Sequence, residues 1–553
     1  MSHSRRIAWL LTFLLIVAAP LGCGAPSTEA PPSEDGEPVD EETYLRVSFS
    51  WPCHIDPAVG SDYASSTAIT NLYDTLVYPT ADGDLVPHLA EDWEISDDNL
   101  TYTFYIRKGV KFHDGSELTA QDVKFSFDRL QAIGEGYAYI FKGRVDSVEV
   151  KDTHTVEFKL AKPFGPLLTT LTRLYIVNED LVMANKKDGP YGEFGDYGKE
   201  FLNTNDAGTG AYTVKEFDVG TFLLMAKFDD YFEFLDPLAP DYFEMIGTTE
   251  AVTVKTRMMQ RDLEISDQWQ TLEAFNALAQ IDGVEVAKWP DASMLYLMLN
   301  TKKPPMDDIH VRKALAWAFN YDAVVNSIFP GTEYARGPVS SVLPGWNPDV
   351  SRYSFDLDKA KAALEQSKYY GELDKYPIEY AWTAEVPDLE KIALMVQADC
   401  QKIGLKVDIV KTPWMSMIDR AASQETTPHI ASIWVAPHYA EAGSVLEAKY
   451  HSANTGSWEQ TEWLLDPEID EMIETAMRTV DIDERMGIYR DIQEKIVELS
   501  PSVFVYDNME RHAYQSAYVE WPQIKAPIPV MGYNFDARFI RVDPVKRAQL
   551  MGS

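Results

Sequence analysis

Positively charged residues are scarce in this chain. Its 553 residues include 49 lysines and arginines against 87 aspartates and glutamates, so the formal net charge is −38. Nucleic-acid binding needs a positive field over the phosphates, and electrostatic docking on anionic lipid needs a basic face. The composition therefore argues against nucleic acid as a partner and against membrane attachment through surface charge, and it favours solubility.

Motifs of the common catalytic and metal sites are also absent. The sequence contains no Gly-x-Ser-x-Gly, no phosphate-binding Gly-x-x-x-x-Gly-Lys-Ser/Thr, no His-Glu-x-x-His and no Cys-x-x-Cys. Its ten histidines are scattered, and the closest plausible pair, His429 and His438, lies nine positions apart, which is not a metal-ligand spacing on a helix. The absence of these motifs does not exclude an enzyme but argues against one, and we predict a protein without catalytic activity, metal or cofactor.

Long apolar runs are missing except near the first residue. Arg5 and Arg6 precede an uncharged apolar run over residues 7–19, which is short for a membrane span and typical of a signal peptide. Gly22 and Cys23 follow it and resemble a bacterial lipoprotein cleavage site, although positions 20 and 21 depart from the usual pattern. We predict a signal peptide over residues 1–22 and a lipid anchor on Cys23; an ordinary cleaved signal with free secretion is the alternative.

The segment after the predicted anchor has the composition of a flexible stalk. Residues 25–43 hold four prolines, seven acidic residues and no lysine or arginine, and such a segment cannot bury a core. We therefore predict an acidic, proline-rich stalk over residues 23–43. Cysteine is scarce as well: Cys53 and Cys400 are the only two besides Cys23. They form either a disulfide or two buried free thiols, and their spacing does not decide between these.

The rest of the chain mixes strand and helix patterns. Alternating apolar residues over 100–107 predict a half-buried strand. Thr119 and Asp122 resemble a capping box at the start of a helix, and Pro467 after Asp466 is typical of a first helical turn. The predicted fold class is α/β with mixed α+β elements.

Several segments resemble a known family. LVPHLAEDW at 85–93, LTYTFYIRKGVKFHDG at 100–115 and LTAQDV at 118–123 resemble the signature of family 5, the oligopeptide and dipeptide type, of the bacterial extracellular solute-binding proteins. Three more matches follow in the family's order: GTGAY at 208–212, PPMDDIHVRKAL at 304–315, and residues 356–364. The resemblance runs from about residue 44 to the C-terminus. Because Asp114-Gly115 predicts a turn and Thr119 a cap, we leave this signature out of the ligand site.

The resemblance implies a two-lobed, periplasmic-binding-protein-like fold with an extra subdomain inserted in lobe one. The implied ranges are 44–71, 205–293 and 500–553 for lobe one, 72–204 for the insert and 294–499 for lobe two. The lobes would hinge near Met294 and Ser500. The implied protein is a monomeric, extracytoplasmic lipoprotein on the membrane surface. It captures an organic solute, oligopeptide-type by family, and delivers it to the permease and ATPase subunits of an ABC importer.

Other functions remain open at this point. The same family includes oligosaccharide binders, so the solute is a peptide or an oligosaccharide. A secreted hydrolase acting on the same substrates is a less favoured alternative, as is a surface signalling or adhesion lipoprotein that uses the fold without a transporter.

The resemblance also implies where the ligand lies. It assigns contacts to a loop after the first strand, to a segment of lobe one, to a loop of lobe two and to one further aromatic residue: Trp51; Asp267, Gln268 and Trp269; Trp434, His438, Tyr439 and Glu441; and Trp414.

One of these segments departs from the family pattern. Peptide binders carry an aspartate three residues after the tryptophan of the lobe-two loop, where it pairs with the α-ammonium group of the peptide. This chain has Pro437 followed by His438 at that place. Because a buried ammonium needs an anion, either Asp267 or Glu441 replaces the missing carboxylate, or the ligand carries no ammonium group. An aromatic cleft without that carboxylate also suits a sugar.

Overall fold

The computed structural model describes residues 42–49, 52 and 54–552. The predicted signal peptide, the lipid anchor on Cys23, most of the stalk, and Trp51 and Cys53 lie outside these residues. Cys400 is a buried free thiol. Within the described part of the chain, no helix is long and apolar enough to cross a membrane. The fold is mixed α/β, as predicted, and rests on three main sheets.

The first sheet defines the region that we call lobe one. Its strands, in spatial order, are Tyr44–Phe49, Tyr242–Gly247, Phe222–Lys227 and Tyr212–Asp218. The first two run parallel and the others antiparallel. Leu45, Val47 and Phe49 alternate inward and are fully buried, as expected of a strand with one face on the core. The helices Tyr63–Leu72, Ala251–Met259, Leu272–Leu278 and Pro544–Met551 accompany this region.

The second sheet defines the insert and is antiparallel throughout. Its strands, in spatial order, are Ala90–Ile95, Thr101–Ile106, Thr155–Leu160 and Val145–Asp152, with a small hairpin of Val77–Pro79 and Leu85–Pro87 before them. The predicted alternation at 100–107 is confirmed, because Tyr102, Phe104 and Ile106 are buried. The insert's helices are Ala120–Ile133, Ala138–Phe141, Leu167–Thr170, Glu179–Ala184 and Lys199–Leu202.

The capping box and the turn predicted in the signature are both confirmed. Thr119 caps the helix Ala120–Ile133, and the Asp122 carboxylate accepts the Thr119 backbone N–H in return. Gly115 has a φ of +87°, which disfavours side chains with a Cβ, and its N–H donates to the Phe112 carbonyl at 2.9 Å. The signature therefore encodes local structure.

The third sheet defines lobe two. Its strands, in spatial order, are Glu333–Tyr334, Ser502–Tyr514, Glu285–Leu299, Ile430–Val435, Ile378–Thr383 and Val407–Thr412. Helices cover both faces: Ile309–Ala318, Tyr321–Ala323, Leu357–Leu364, Asp388–Lys402, Trp414–Ala421, Ala442–Tyr450, Pro467–Arg478 and Ile482–Leu499. Both faces of the sheet are therefore buried, and its central strands are apolar.

Two long strands run from lobe two toward lobe one. Glu285–Leu299 and Ser502–Tyr514 pair antiparallel along most of their length, and the pairing is irregular between Pro290 and Met294. Bridges from Val47 to Ile265 and from Ile265 to Tyr514 join them to the lobe-one sheet. We call this pair the crossing strands. Their irregular part includes Met294, whereas Ser500 ends the preceding helix, before the second crossing strand begins.

A set of buried ion pairs joins the insert to lobe one, and we call it the insert joint. His88 pairs with Asp74 at 2.9 Å inside the insert, and Thr209 of lobe one donates to the same carboxylate at 2.8 Å. His113 of the insert pairs with Asp206 and also contacts the Gly210 carbonyl at 2.9 Å. The two histidines belong to the signature, and Thr209 and Gly210 belong to the GTGAY segment, so those motifs supply part of the joint. The joint is completed by Arg129, which forms two hydrogen bonds of 2.7 and 2.6 Å with Asp56.

The insert also contacts lobe two. Arg144 forms an ion pair with Glu447, and the Gly165 N–H donates to the Met477 carbonyl at 2.9 Å. Gly165 allows close approach, because a Cβ there would lie 2.2 Å from the Thr479 carbonyl oxygen. The insert therefore bridges both lobes in this structure.

Candidate ligand-binding site

Two tryptophans from opposite lobes meet beside the crossing strands. Trp269 lies in lobe one and Trp434 in lobe two, with ring centroids 5.7 Å apart and planes inclined at 54°. Both are only half-buried. Sequence reasoning proposed both as ligand contacts, and the fold brings them together. We call the surroundings of this pair the interlobe site.

Trp434 is held in place by its neighbours in lobe two. Its strand pairs with a crossing strand, with Trp434 opposite Leu295. The indole N–H donates to the Tyr506 hydroxyl at 3.1 Å, and Phe329 packs edge-on against the indole at 6.2 Å. Because the indole N–H already donates to Tyr506, the ring can present an apolar surface to the site.

Asp267 is a fully buried carboxylate, and its hydrogen-bond donors in the described ranges are all neutral. It accepts hydrogen bonds from the Trp269 N–H at 2.9 Å, the Gln270 side chain at 2.8 Å and the Ser48 hydroxyl at 3.2 Å. Burial raises the pKa of Asp267 to about 6. These bonds fix the turn that carries Trp269. Next to it, Gln268 has a buried side-chain oxygen without a hydrogen-bond partner among the described residues.

Glu441, the second candidate for the missing carboxylate, is already paired. Arg485 donates two hydrogen bonds to it, at 3.0 and 2.7 Å, and the Tyr489 hydroxyl donates a third at 2.9 Å. The pair is buried on both sides. A carboxylate in this state is already neutralised, so Glu441 offers no free charge to an incoming ammonium group.

The loop after Trp434 places His438 and Tyr439 in contact with other parts of the chain. The His438 ring lies edge-on to Tyr137 and Tyr139 of the insert, with centroids 5.5 and 5.8 Å away, and it bonds Glu459 at 2.8 Å. Tyr439 is buried in the core. His438 therefore lies where the insert meets lobe two.

Trp414 begins the helix Trp414–Ala421 and lies against Trp458, with centroids 5.2 Å apart. Its backbone N–H donates to Glu385. Trp414 follows the end of a strand parallel to the one that carries Trp434, and ligands commonly bind at that edge of a parallel sheet. Among the described residues, no ring contact joins Trp414 to Trp269 or Trp434.

Carboxylates on the crossing strands were missed by sequence reasoning. Asp291 is half-buried and accepts hydrogen bonds from Ser293 and from Asn508, the latter at 3.3 Å. Burial, together with the charge of Glu510, raises the pKa of Asp291 to about 6. Burial also raises the pKa of Asp507 to about 6, and its Oδ1 has no hydrogen-bond partner among the described residues. Acidic residues within mostly buried strands were the available signal.

Among the described residues, no ordinary cation accompanies these carboxylates. Asp291 and Asp507 have only hydroxyl, amide and backbone N–H donors there, while Glu510 accepts from His512 at 2.9 Å and Tyr63 at 3.2 Å. Within the described ranges, no group of three or more His, Cys, Asp or Glu side chains is arranged to hold a metal ion. The crossing strands, one of which pairs with the strand of Trp434, thus carry uncompensated negative charge.

Comparison with known proteins gives consistent matches. A sequence model described as bacterial extracellular solute-binding proteins, family 5, middle region, matches residues 84–457. The Probable D,D-dipeptide-binding periplasmic protein DdpA of Escherichia coli K12 is 28% identical over 468 residues, covering 82% of this chain and 86% of that protein. Heme-binding protein A of Haemophilus influenzae is 25% identical over 485 residues, covering 83% and 86%.

A solved structure has the same fold. The periplasmic binding protein DppA of Helicobacter pylori, in complex with the peptide STSA, superposes with a TM-score of 0.79 at 24% identity. The match covers 90% of this chain and 98% of that one. At this identity the likeness establishes the shared fold.

Proposed function

Because this chain belongs to family 5 of the bacterial extracellular solute-binding proteins, we propose that the solute which it captures for an ABC importer is a peptide held between its two lobes. The family is one of substrate-binding proteins that serve transport. A dipeptide-binding relative favours a peptide. A heme-binding relative of similar identity shows that membership alone does not fix the solute.

The observation that carries the proposal is an uncompensated carboxylate on the crossing strand that also pairs with the strand of Trp434. Asp291 is half-buried and has only neutral donors, so it can receive a cationic group. An α-ammonium group there would replace the interaction that Pro437 cannot supply. Asp267 is less suited to direct contact, because three neutral donors already occupy its oxygens. We therefore assign the ammonium contact to Asp291 and the apolar contacts to Trp269 and Trp434.

The same proposal includes the partner proteins of the chain and its attachment to the membrane. The permease and ATPase subunits of an ABC importer are its partners, and Cys23 carries the lipid that holds it at the membrane. Cys23→Ser should move the protein from the membrane fraction to the soluble fraction. A wild type that is equally soluble and unacylated would contradict the anchor without affecting the binding proposal.

Calorimetry tests the solute. Because bound solute can copurify, the protein is first unfolded and refolded, and mass spectrometry identifies what is released. It is then titrated with a tri- to pentapeptide panel and a panel of tri- and tetrasaccharides. We expect peptide binding in wild type and in Asp128→Asn, a surface control, and a large loss in Asp291→Asn. Peptide affinity indifferent to Asp291 would contradict the assigned contact.

An oligosaccharide is the second candidate, and the tryptophan pair is the observation that favours it. Indole faces stack on the apolar faces of sugar rings, and Trp269 and Trp434 are both half-buried. For a sugar, Asp267→Asn or Asp291→Asn should cost only about 1 kcal/mol, since a neutral hydrogen bond replaces part of what is lost. Saccharide binding of this kind, with no peptide binding, would replace the first proposal.

A further inference from the structure

Arg173 of the insert is fully buried, and no acidic side chain among the described residues pairs with it. Its Nε donates to the His438 carbonyl at 2.5 Å, and its Nη1 donates to the Met531 carbonyl at 2.9 Å and to the Tyr175 hydroxyl at 3.3 Å. Its Nη2 is buried without a hydrogen-bond partner among the described residues. The ring of Tyr137 lies 4.8 Å from the guanidinium carbon. Neutral groups alone surround this positive charge.

The other buried arginines of the described chain do not resemble it. Arg129 pairs with Asp56, Arg485 with Glu441, and Arg538 with Asp536 and Glu233. Arg261 has no ion pair either, but its Nη1 donates to the Gln515 side chain and its Nη2 donates to the Asp282 carbonyl at 2.8 Å. Arg312 lacks an ion pair, but each of its donor nitrogens bonds a backbone carbonyl, two of them at the end of the helix Ile482–Leu499, where a cation is favoured. A buried charge with a free donor is costly, so Arg173 calls for a specific explanation.

The position of Arg173 in the fold supplies this explanation. Arg173 reaches from the insert to His438, in the lobe-two loop that follows Trp434. Family peptide binders hold an aspartate at the place of Pro437, so that end of their site receives a cation. This chain lacks the aspartate and brings a guanidinium to the carbonyl of the next residue. The charge at this end of the site is therefore reversed.

We propose that Arg173 is the anion-binding residue of the ligand site and that it receives a carboxylate group of the solute. This rests on the proposed function. Parting of the insert and lobe two breaks the bond from Nε to His438 and exposes the guanidinium. A solute carboxylate then pairs with Nη2 as the lobes close, because a carboxylate is a stronger acceptor than the carbonyl that it supplements. A cavity of about 10 Å³ that borders Arg173 on its insert and lobe-one side has room for one water, so a carboxylate does not fit in that cavity.

The chemistry of this end of the solute can be tested with matched ligands. The probes are a tri- to pentapeptide pool with free C-terminal carboxylates and the same pool with C-terminal amides, titrated into stripped and refolded protein. We expect wild type to bind the free acids about tenfold more tightly or better, from the strength of a charged hydrogen-bond pair. Arg173→Gln should bind both pools equally, and Arg173→Lys should keep part of the preference.

Arg144→Gln is the matched control. Arg144 also reaches from the insert to lobe two, where it pairs with Glu447, so this variant loses an interlobe contact without touching the proposed site. It should keep the preference for free acids. Equal binding of acids and amides by wild type would overturn the proposal, as would a preference that survives in Arg173→Gln. The wild-type comparison needs no variant to fold.

A second measurement separates this inference from the peptide proposal. If neither peptide pool binds, the peptide proposal fails, and sodium formate in chloride-free buffer becomes the probe. Formate should raise the thermal unfolding temperature of wild type more than that of Arg173→Gln, and absence of this difference would overturn the anion site. If chloride gives the same Arg173-dependent rise while peptide acids and amides bind equally, the site holds an inorganic ion and the solute-carboxylate proposal is wrong.

Discussion

The insert joint and the interlobe site both bury carboxylates, but their surroundings differ. In the joint, Asp74 lies against His88 and Asp56 against Arg129. At the interlobe site and on the crossing strands next to it, Asp267, Asp291 and Asp507 have only neutral donors within the described part of the chain. A carboxylate paired with a cation of the same chain is neutralised without a ligand. A carboxylate that has no such partner is neutralised only when a cationic group of a ligand binds to it. The comparison separates scaffold from site within one molecule.

The direction of the pKa shifts reflects the same difference. Burial acts to raise the pKa of Asp74, but the charge of His88 and the hydrogen bonds from His88 and Thr209 outweigh it and lower the pKa. Burial is not outweighed at Asp291, and its pKa rises to about 6. A carboxylate with a raised pKa is held in its charged form at a cost, which a cationic ligand would offset.

Breaking the joint should have the largest effect on stability. Arg129→Met leaves the Asp56 carboxylate buried without its partner, so we expect a loss of about 3–5 kcal/mol in the free energy of unfolding. Urea denaturation of the stripped protein measures it. Lys124→Met, on the same helix, breaks a largely exposed pair with Asp128 and should cost less than about 1 kcal/mol. Similar losses in both variants would contradict the comparison.

Removing an uncompensated charge should have the opposite outcome. Asp291→Asn should lower peptide affinity by about 2–5 kcal/mol, the range for truncating one partner of a buried charge pair, without reducing the stability of the stripped protein. Calorimetry and urea denaturation together check both halves. A variant that loses stability as Arg129→Met does would place Asp291 in the scaffold.

The contact between the insert and lobe two should have an intermediate effect. A methyl group at Gly165 would lie 2.2 Å from the Thr479 carbonyl oxygen, so Gly165→Ala should weaken solute binding by about 1–3 kcal/mol, as overpacking does. Small-angle scattering should show the radius of gyration of wild type shrinking on saturation with solute, and shrinking less in Gly165→Ala. An unchanged wild-type radius would argue against lobe closure.

The last prediction concerns pH. Asp291 has a folded pKa of about 6, above its ordinary 3.8, so the folded protein binds more protons than the unfolded chain between these values. Its contribution therefore makes the stripped protein less stable as pH rises from about 4 to about 6, by about 2 kcal/mol. Affinity for a cationic solute should rise over the same range.

Urea denaturation and calorimetry are carried out at pH 4.5 and pH 7 on both wild type and Asp291→Asn. The difference between the two proteins isolates the contribution of Asp291. Stability and affinity that change in the same direction would refute the assignment.

Sequence reasoning predicted local features best. The cap at Thr119 and the helix start at Pro467 are set by neighbouring residues, and both are confirmed. The family resemblance brought Trp269 and Trp434 to one place, although they lie far apart along the chain. The sequence did not reveal which charged side chains pair with each other. Arg485, which neutralises Glu441, lies on a helix that begins well after the loop of Glu441. Nothing local marked Arg173, because its environment comes from three distant segments.

The crossing strands also govern the order of assembly. Ser502–Tyr514 lies between Glu333–Tyr334 and Glu285–Leu299 in the lobe-two sheet, so an interior position of that sheet is filled by residues from near the end of the chain. Until those residues are available, the strand Glu285–Leu299 has an open apolar edge, and the bridge to Ile265 cannot form. Such long-range pairings slow folding. The chain therefore cannot complete either the sheet or the connection between its lobes until these late residues have been synthesised.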